Sequence, residues 1–66
     1  MLREYEVVLL KRVVPGIGLP AGTKGTILIV YRSRPPAYEV EFMSEDGQSL
    51  GTHTVEEADV EPLKDE

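Results

Sequence analysis

The chain has 66 residues, no cysteine, one histidine and a formal net charge of −5, and at this length we expect one domain that buries only about 60% of the surface exposed on unfolding. The missing cysteines exclude a disulfide framework, a Cys-based zinc site and a thiol nucleophile, and a single histidine excludes a His-rich metal site. The negative charge argues against non-specific binding of nucleic acid, which depends on Lys and Arg to neutralise phosphates.

The first half of the chain predicts two strands separated by a long loop. Tyr5 to Val13 has the composition of a first strand. Its apolar run, Val7 to Leu10, is too short for a signal-peptide core or a membrane span, so we expect a soluble cytoplasmic protein. The loop 14-VPGIGLPAG-22 carries two prolines and three glycines and allows no regular ladder. Lys24 to Tyr31 is the second predicted strand.

The third strand is the clearest in the sequence. The prolines in 32-RSRPPA-37 force a turn, because Pro36 lacks an N–H and restricts Pro35. Tyr38 to Met43 then alternates, with Tyr38, Val40 and Phe42 on one face and Glu39 and Glu41 on the other. One face is therefore predicted to lie in the core and the other in solvent.

The remaining sequence predicts a hairpin, a turn of helix and a last strand. The segment 44-SEDGQ-48 contains the Asp-Gly pair typical of hairpin turns, and Ser49 to Val55 follows as a fourth strand. The segment 56-EEAD-59 has room for one helical turn before a short fifth strand, Val60 to Leu63, which Pro62 places at an edge.

This order of elements predicts an all-β fold, a small five-stranded SH3-like barrel with one short helical turn before the last strand. We expect a single domain over residues 1–66, with a core of about residues 5–63. Residues 64–66 are predicted to form a frayed acidic tail.

The glycine-rich turn 20-PAGTKGTILIVY-31 resembles phosphate-binding motifs only in its letters. A P-loop leads into a helix, whereas Gly22-Thr23-Lys24-Gly25-Thr26 leads into a β-branched strand. The segment 16-GIGLPA-21 also lacks a following helix and is interrupted by Pro20. We therefore interpret these glycines as supplying positive φ and close backbone approach, and we predict no cofactor site.

Catalysis is not indicated by the polar residues. His53 lies on a predicted strand, and a Ser-His-Asp arrangement needs a pocket that five short strands hardly provide. The acid pairs Glu39/Glu41 and Glu56/Glu57 match a solvated strand face and a charged turn. We predict no catalytic and no metal-binding residues, and we expect that the protein is not an enzyme.

The charge distribution leaves nucleic-acid binding as an alternative. Residues 1–38 carry a net charge of +4 and residues 39–66 a net charge of −9, so the folded surface is expected to be polarised. Basic residues with nearby aromatics can bind single strands. The candidate residues for this alternative are Lys24, Tyr31, Arg32, Arg34 and Tyr38.

An excess of apolar residues points instead to a protein partner. Both faces of the strands containing Val7 to Leu10 and Ile27 to Tyr31 are apolar, but one small barrel has a single interior. The long loop or a partner chain must cover the other set. We predict a partner-binding surface made of Ile17, Leu19, Leu28 and Val30, with Glu39 and Glu41 steering a basic partner.

Three segments carry a resemblance to a known family: 20-PAGTKGTILIVY-31, 38-YEVEFMSEDGQSL-50 and 59-DVEPL-63. In their order and spacing they resemble short bacterial and archaeal proteins catalogued as domain of unknown function 4926. The likeness runs from about Tyr5 to Leu63. The sequence departs from the family pattern at 51-GTHTVEEA-58, which is more polar.

The resemblance implies an SH3-like barrel and no catalytic residue. It also implies a neighbouring small gene, and so an antitoxin-like or accessory role with a toxin-like or enzyme subunit as partner. The turn is similar to the KOW-type turn of RNA- and ribosome-binding barrels, and to a protein-interaction barrel in nitrile hydratase-type subunits. Our leading expectation is a non-catalytic protein-binding module, with a KOW-like nucleic-acid-binding barrel and a homodimeric structural protein as alternatives.

Overall fold

The computed structural model describes residues 1–63 and places five antiparallel strands in one sheet. The strands are β1 (Val7–Leu10), β2 (Lys24–Tyr31), β3 (Ala37–Met43), β4 (Ser49–Glu56) and β5 (Val60–Pro62), with a single 3₁₀ turn, Glu57–Asp59, before β5. The predicted all-β, SH3-like fold is confirmed. The predicted acidic tail, residues 64–66, lies outside the described residues.

The sheet is barrel-like but is not closed by hydrogen bonds. Its strand order is β4-β3-β2-β1-β5, so β4 and β5 are the two edges in the part of the chain that is described. All five strands contribute buried side chains to one interior. Over residues 1–63 there is no helix with the length and apolar character needed to cross a membrane.

The first strand is shorter than predicted. It begins at Val7 instead of Tyr5 because Tyr5 has a φ of 65°, which is incompatible with an extended strand. The Tyr5 N–H donates to the Ile27 carbonyl at 2.6 Å. Its side chain is 71% exposed.

The core follows the alternation predicted for β3. Tyr38, Val40 and Phe42 are fully buried, whereas the intervening Glu39 and Glu41 are not. The other buried apolar residues are Val8, Leu10, Ile27, Val55 and Val60. The long loop between β1 and β2 packs against this core through Val14, Ile17 and Leu19.

A bulge in β2 changes which of its residues face the interior. Ile27 pairs with Val40, but the next paired residue is Ile29, opposite Glu39, so Leu28 has no partner on β3. Cross-strand partners share a face of the sheet. Val30, opposite Tyr38, therefore packs against the core, and Ile29 lies on the outer side.

Two glycines of the turn have the backbone roles that the sequence predicted. Gly22 has a φ of 91°, a conformation that glycine adopts without steric cost. The buried position 25 requires glycine for a different reason: an added Cβ would lie 2.5 Å from Val40 Cγ1 and 2.9 Å from Phe42 Cδ1. The start of β2 crosses β3 so closely that there is no room for a side chain.

An ion pair fixes the end of the barrel where β4 passes into β5. The Nε and Nη2 atoms of Arg12 donate to Asp59 Oδ1 at 2.9 and 2.7 Å. Asp59 Oδ2 accepts the Glu56 N–H at 2.9 Å, a cap for the 3₁₀ turn. The Asp59 carboxylate thus connects Arg12, which follows β1, to the last residue of β4.

The close approach at Gly25 predicts a stability defect for Gly25→Ala. The added methyl group overpacks the core against Val40 and Phe42, and we expect the free energy of unfolding to fall by about 1–3 kcal/mol. Urea denaturation followed by circular dichroism measures this change.

The double variant Gly25→Ala, Val40→Ala provides the control. Removing the Val40 Cγ atoms relieves the closest contact and leaves that with Phe42, so the combined loss of stability should be smaller than the sum of the two single losses. Simple additivity would contradict the proposed contact.

Candidate interaction surface

The exposed side of β2, β3 and β4 forms a continuous surface, which we call the acidic outer face. The register places Ile29, Glu39 and Thr54 in one row across the three strands, and Thr26, Glu41 and Thr52 in the next. Its central residues are Ile29, Tyr31, Glu39, Glu41, Thr52 and Thr54. Alternation in β3 produces this face, because the same periodicity that buries Tyr38 and Val40 turns the glutamates outward.

Hydrogen bonds within the sheet hold both glutamates. Glu39 Oε1 accepts the Thr54 hydroxyl at 2.7 Å and the Tyr31 hydroxyl at 3.3 Å. Glu41 Oε2 accepts the Ser49 hydroxyl at 3.1 Å. Among residues 1–63, no side chain donates to Glu39 Oε2 or Glu41 Oε1. Each carboxylate is therefore positioned and keeps one oxygen free for a further donor.

No Lys or Arg within the described part of the chain forms an ion pair with these two glutamates. Residues 35–63 contain eight Asp and Glu residues and no Lys or Arg. The ion pair found within residues 1–63 joins Arg12 to Asp59, away from this face. The β3–β4 hairpin therefore carries acidic residues and no Lys or Arg, a charge distribution that attracts cations.

Two large apolar side chains are exposed beside the glutamates. Ile29 is 45% exposed and Tyr31 is 40% exposed. Tyr31 lies opposite Ala37, a small residue that lets the ring reach diagonally to Glu39. Desolvation, and then the charge and hydrogen bond of Glu39, raise the pKa of Tyr31. The hydroxyl therefore remains a donor to Glu39 at neutral pH.

The predicted partner-binding residues lie in different environments. Glu39 and Glu41 are on the acidic outer face, Leu28 is the half-buried residue of the bulge, and Ile17, Leu19 and Val30 pack against the core. Sequence reasoning did not assign Ile29 or Tyr31 to the partner surface. The bulge that exposes them has no Gly or Pro signal in 27-ILIVY-31. Whether the predicted set binds a partner stays a prediction.

The residues predicted for nucleic-acid binding are not brought together. Tyr38 is 0% exposed, so its assignment to a nucleic-acid-binding surface is wrong: its ring fills the interior. Lys24 and Tyr31 occupy opposite ends of β2, about 23 Å apart at the usual rise of a strand. Tyr31, Arg32 and Arg34 are exposed near one another along the chain.

The glycine-rich turn lines a groove of about 680 Å³ between the long loop and the β3–β4 turn. Lys24 and Glu45, of opposite charge, both border it, together with the apolar side chains of Leu9, Met43 and Leu50. Because one positive and one negative side chain border the groove, its charge does not favour binding of an anion. The groove thus fits the structural interpretation of the turn.

His53 lies on β4 and is half-buried, with its ring centroid 6.1 Å from that of Phe42. It packs on the edge of the core. Within residues 1–63, the structure gathers no group of three His, Asp or Glu side chains that could hold a metal ion.

A family model described as Domain of unknown function (DUF4926) matches residues 4–62. The chain belongs to this family. The match confirms the resemblance inferred from the three segments of sequence. Searches of curated proteins and of solved structures found no match.

Tyr38 of this DUF4926 protein generates a prediction about pH. Its hydroxyl accepts the Leu2 N–H at 3.1 Å and donates to Glu57 Oε1 at 2.7 Å. Burial raises its pKa, the Leu2 N–H opposes that increase, and Glu57 adds to it. In the unfolded chain the Tyr38 hydroxyl ionises near pH 10.0. The stability that the folded protein gains from keeping this hydroxyl neutral is therefore complete below that pH and is lost as the pH rises above it.

We therefore expect Tyr38→Phe to lower the free energy of unfolding by about 1–2 kcal/mol at pH 7, through the two lost hydrogen bonds. Between pH 10 and the alkaline limit of folding, the variant should lose stability less steeply than the wild type. Urea titrations at several pH values give both slopes, and equal slopes would contradict this assignment.

Proposed function

We propose that this DUF4926 protein is a non-catalytic binding module that holds a basic partner protein on its acidic outer face. The observation that carries the proposal is the pair of carboxylates, Glu39 and Glu41, each anchored through one oxygen and lacking a cation partner within residues 1–63. Positioned charges of one sign steer a partner of the opposite sign and fix its orientation.

The exposed apolar residues supply the second component of an interface. Ile29 and Tyr31 lie in and beside the rows that carry the glutamates, so a partner that pairs with the carboxylates also covers these side chains. Tyrosine is enriched at the centres of protein interfaces, whereas charges dominate the rim. The arrangement supports a protein ligand over a small charged molecule.

The proposed surface modifies the one predicted from sequence. It keeps Glu39 and Glu41 and replaces the apolar part, because Val30, Ile17 and Leu19 already pack against the core. An antitoxin-like or accessory role is part of the proposal. It rests on the resemblance, which implies a neighbouring gene that encodes a toxin-like or enzyme subunit.

Reversing the two central charges tests the proposal. The protein is co-expressed with the product of the neighbouring gene, and the mass of the complex is measured by light scattering. We expect a defined complex for the wild type. The affinity of Glu39→Lys, Glu41→Lys should be at least about tenfold lower, because each substitution replaces an attraction by a repulsion.

The matched control is Glu4→Lys, Glu45→Lys, which makes the same change in net charge at two exposed residues outside the acidic outer face. It should bind within about twofold of the wild type at 0.15 M salt, where distant charges are largely screened. Equal losses for both pairs would show that only net charge matters. A stable homodimer that ignores the neighbour, or salt-sensitive binding of an oligonucleotide, would replace the proposal by one of its alternatives.

A further inference from the structure

We propose that the basic partner binds as an added β-strand along the free edge of β4, with alternate Lys or Arg side chains over Glu39 and Glu41. This inference rests on the proposed function and names the way in which the partner is held. An extended segment that joins a sheet edge gains main-chain hydrogen bonds for affinity and side-chain contacts for specificity.

The two edges of the sheet differ in their capacity to accept a strand. β5 has three residues and ends in Pro62, which lacks an N–H. β4 has eight residues, and the stretch from Ser49 to Val55 contains no proline and no charged residue. Monomeric proteins usually protect an edge with Lys, Pro or a very short strand. The described chain applies such protection to all of β5, whereas in β4 the irregularity at Gly51, with a φ of 100°, leaves the stretch from Thr52 to Val55 open.

The hydrogen-bonding pattern identifies the free backbone groups. The Glu57 N–H donates to the Pro36 carbonyl at 3.2 Å, and in an antiparallel pair the bonded residues alternate. Val55 and His53, opposite Tyr38 and Val40, therefore bond to β3, whereas Thr54 and Thr52 point their N–H and C=O groups away from it.

Two further observations support this alternation. The N–H of Glu56, in the same phase as Thr54, is indeed turned away from β3, since Asp59 Oδ2 accepts it. Thr52 and Thr54 are both exposed, and within residues 1–63 no loop or turn backbone bonds to either of them. The free edge is thus bounded by the Asp59 cap at one end and by the irregularity that begins β4, between Phe42 and Met43 on the facing strand, at the other.

The acidic outer face specifies the side chains of the added strand. Residues opposite Thr52 and Thr54 project to the same side as Glu41 and Glu39, which lie one strand further in. That is about 9–10 Å from the added strand, and the two glutamates are about 7 Å apart along β3, the spacing of alternate residues in a strand. Long Lys or Arg side chains can cross the short threonines and reach the free carboxylate oxygens.

A second copy of this chain is a poorer occupant of the same edge. Pairing β4 with β4 would bring two acidic outer faces side by side, each with Glu39, Glu41 and Glu56, in molecules that each carry a net charge of −5. Like charges at such distances repel. Charge complementarity therefore selects a basic, extended segment.

The test uses an eight-residue synthetic peptide that alternates lysine and valine, with blocked ends, titrated into the ¹⁵N-labelled full-length protein. We expect the amide signals of Thr52 and Thr54 to shift, and their hydrogen exchange to slow by at least about tenfold at saturation. The equivalent peptide that alternates glutamate and valine should bind at least about tenfold more weakly, as expected from charge reversal.

N-methylated peptides separate strand addition from simple charge attraction. Methylation of either the lysine or the valine nitrogens keeps the charge but blocks one edge of the peptide. In antiparallel addition the lysine nitrogens face β4, and in parallel addition the valine nitrogens do. We expect one of the two peptides to lose at least about tenfold in affinity and the other to bind like the parent. Equal binding of all three, or no binding of the parent, would overturn the inference.

A matched pair of protein variants tests the same edge. Thr54→Pro removes the outward N–H and leaves the ladder with β3 intact, because proline is tolerated at edge positions that face solvent. Thr54→Val also loses the hydroxyl that donates to Glu39 but keeps the N–H. Peptide affinity should fall at least about tenfold for Thr54→Pro relative to Thr54→Val.

The failure of this inference and the failure of the proposed function give different results. Suppose that the product of the neighbouring gene no longer binds the Glu39→Lys, Glu41→Lys variant but binds Thr54→Pro and Thr54→Val equally. The acidic outer face then binds a partner without strand addition. If charge reversal also has no effect, the proposed function fails. If Thr54→Pro does not fold, binding of the N-methylated peptides to the wild-type protein tests strand addition instead.

Discussion

One small interior must accommodate strands that are apolar on both faces, and this constraint shapes the rest of the molecule. In β2 the conflict is resolved by the bulge at Leu28, which lets Ile27 and Val30 both turn inward although only Leu28 and Ile29 lie between them. A strand without a bulge would place residues 27 and 30 on opposite faces. The cost is that Ile29 and Tyr31 lie outside, where the interior cannot cover them.

The remaining packing follows from the same lack of space. β1 and β3 fill the interior with large side chains, so the start of β2 can cross β3 only at Gly25, where no Cβ fits. The long loop returns over the core through Ile17 and Leu19 instead of extending into solvent. Glycine and proline in the first half of the chain therefore serve the architecture, and the turn that resembles a phosphate-binding motif is part of it.

The outer side of the sheet has the opposite character. Its glutamates accept hydrogen bonds from neighbouring hydroxyl groups, and no Lys or Arg within residues 1–63 forms an ion pair with them. The adjacent edge strand, β4, carries small and polar residues that neither block its backbone nor screen the glutamates behind it. Surface charge, exposed apolar residues and an open edge thus occur on one side of the molecule, and our proposal of a protein partner rests on this coincidence.

Much of the fold was determined by the sequence itself. The strict alternation in 38-YEVEFM-43, the Asp-Gly turn and the position of Pro62 are local signals, and each specifies its element because the side-chain period of a strand is two and the turns require particular backbone conformations. The family was likewise recognisable from three short segments. The alternation also put Glu39 and Glu41 on an exposed face without reference to any other strand.

The tertiary structure decided which apolar residues remain outside. The bulge at Leu28 allows both Ile27 and Val30 to be buried, which stabilises the fold. This stabilisation depends on their contacts with Val40 and Tyr38 on the neighbouring strand. It therefore has no local sequence signal. The burial of Tyr38, by contrast, was already indicated by the alternation in β3. The alternation of apolar and polar residues is local and can be read from the sequence. Which of the surplus apolar side chains are buried in the single interior depends on the packing of all the strands.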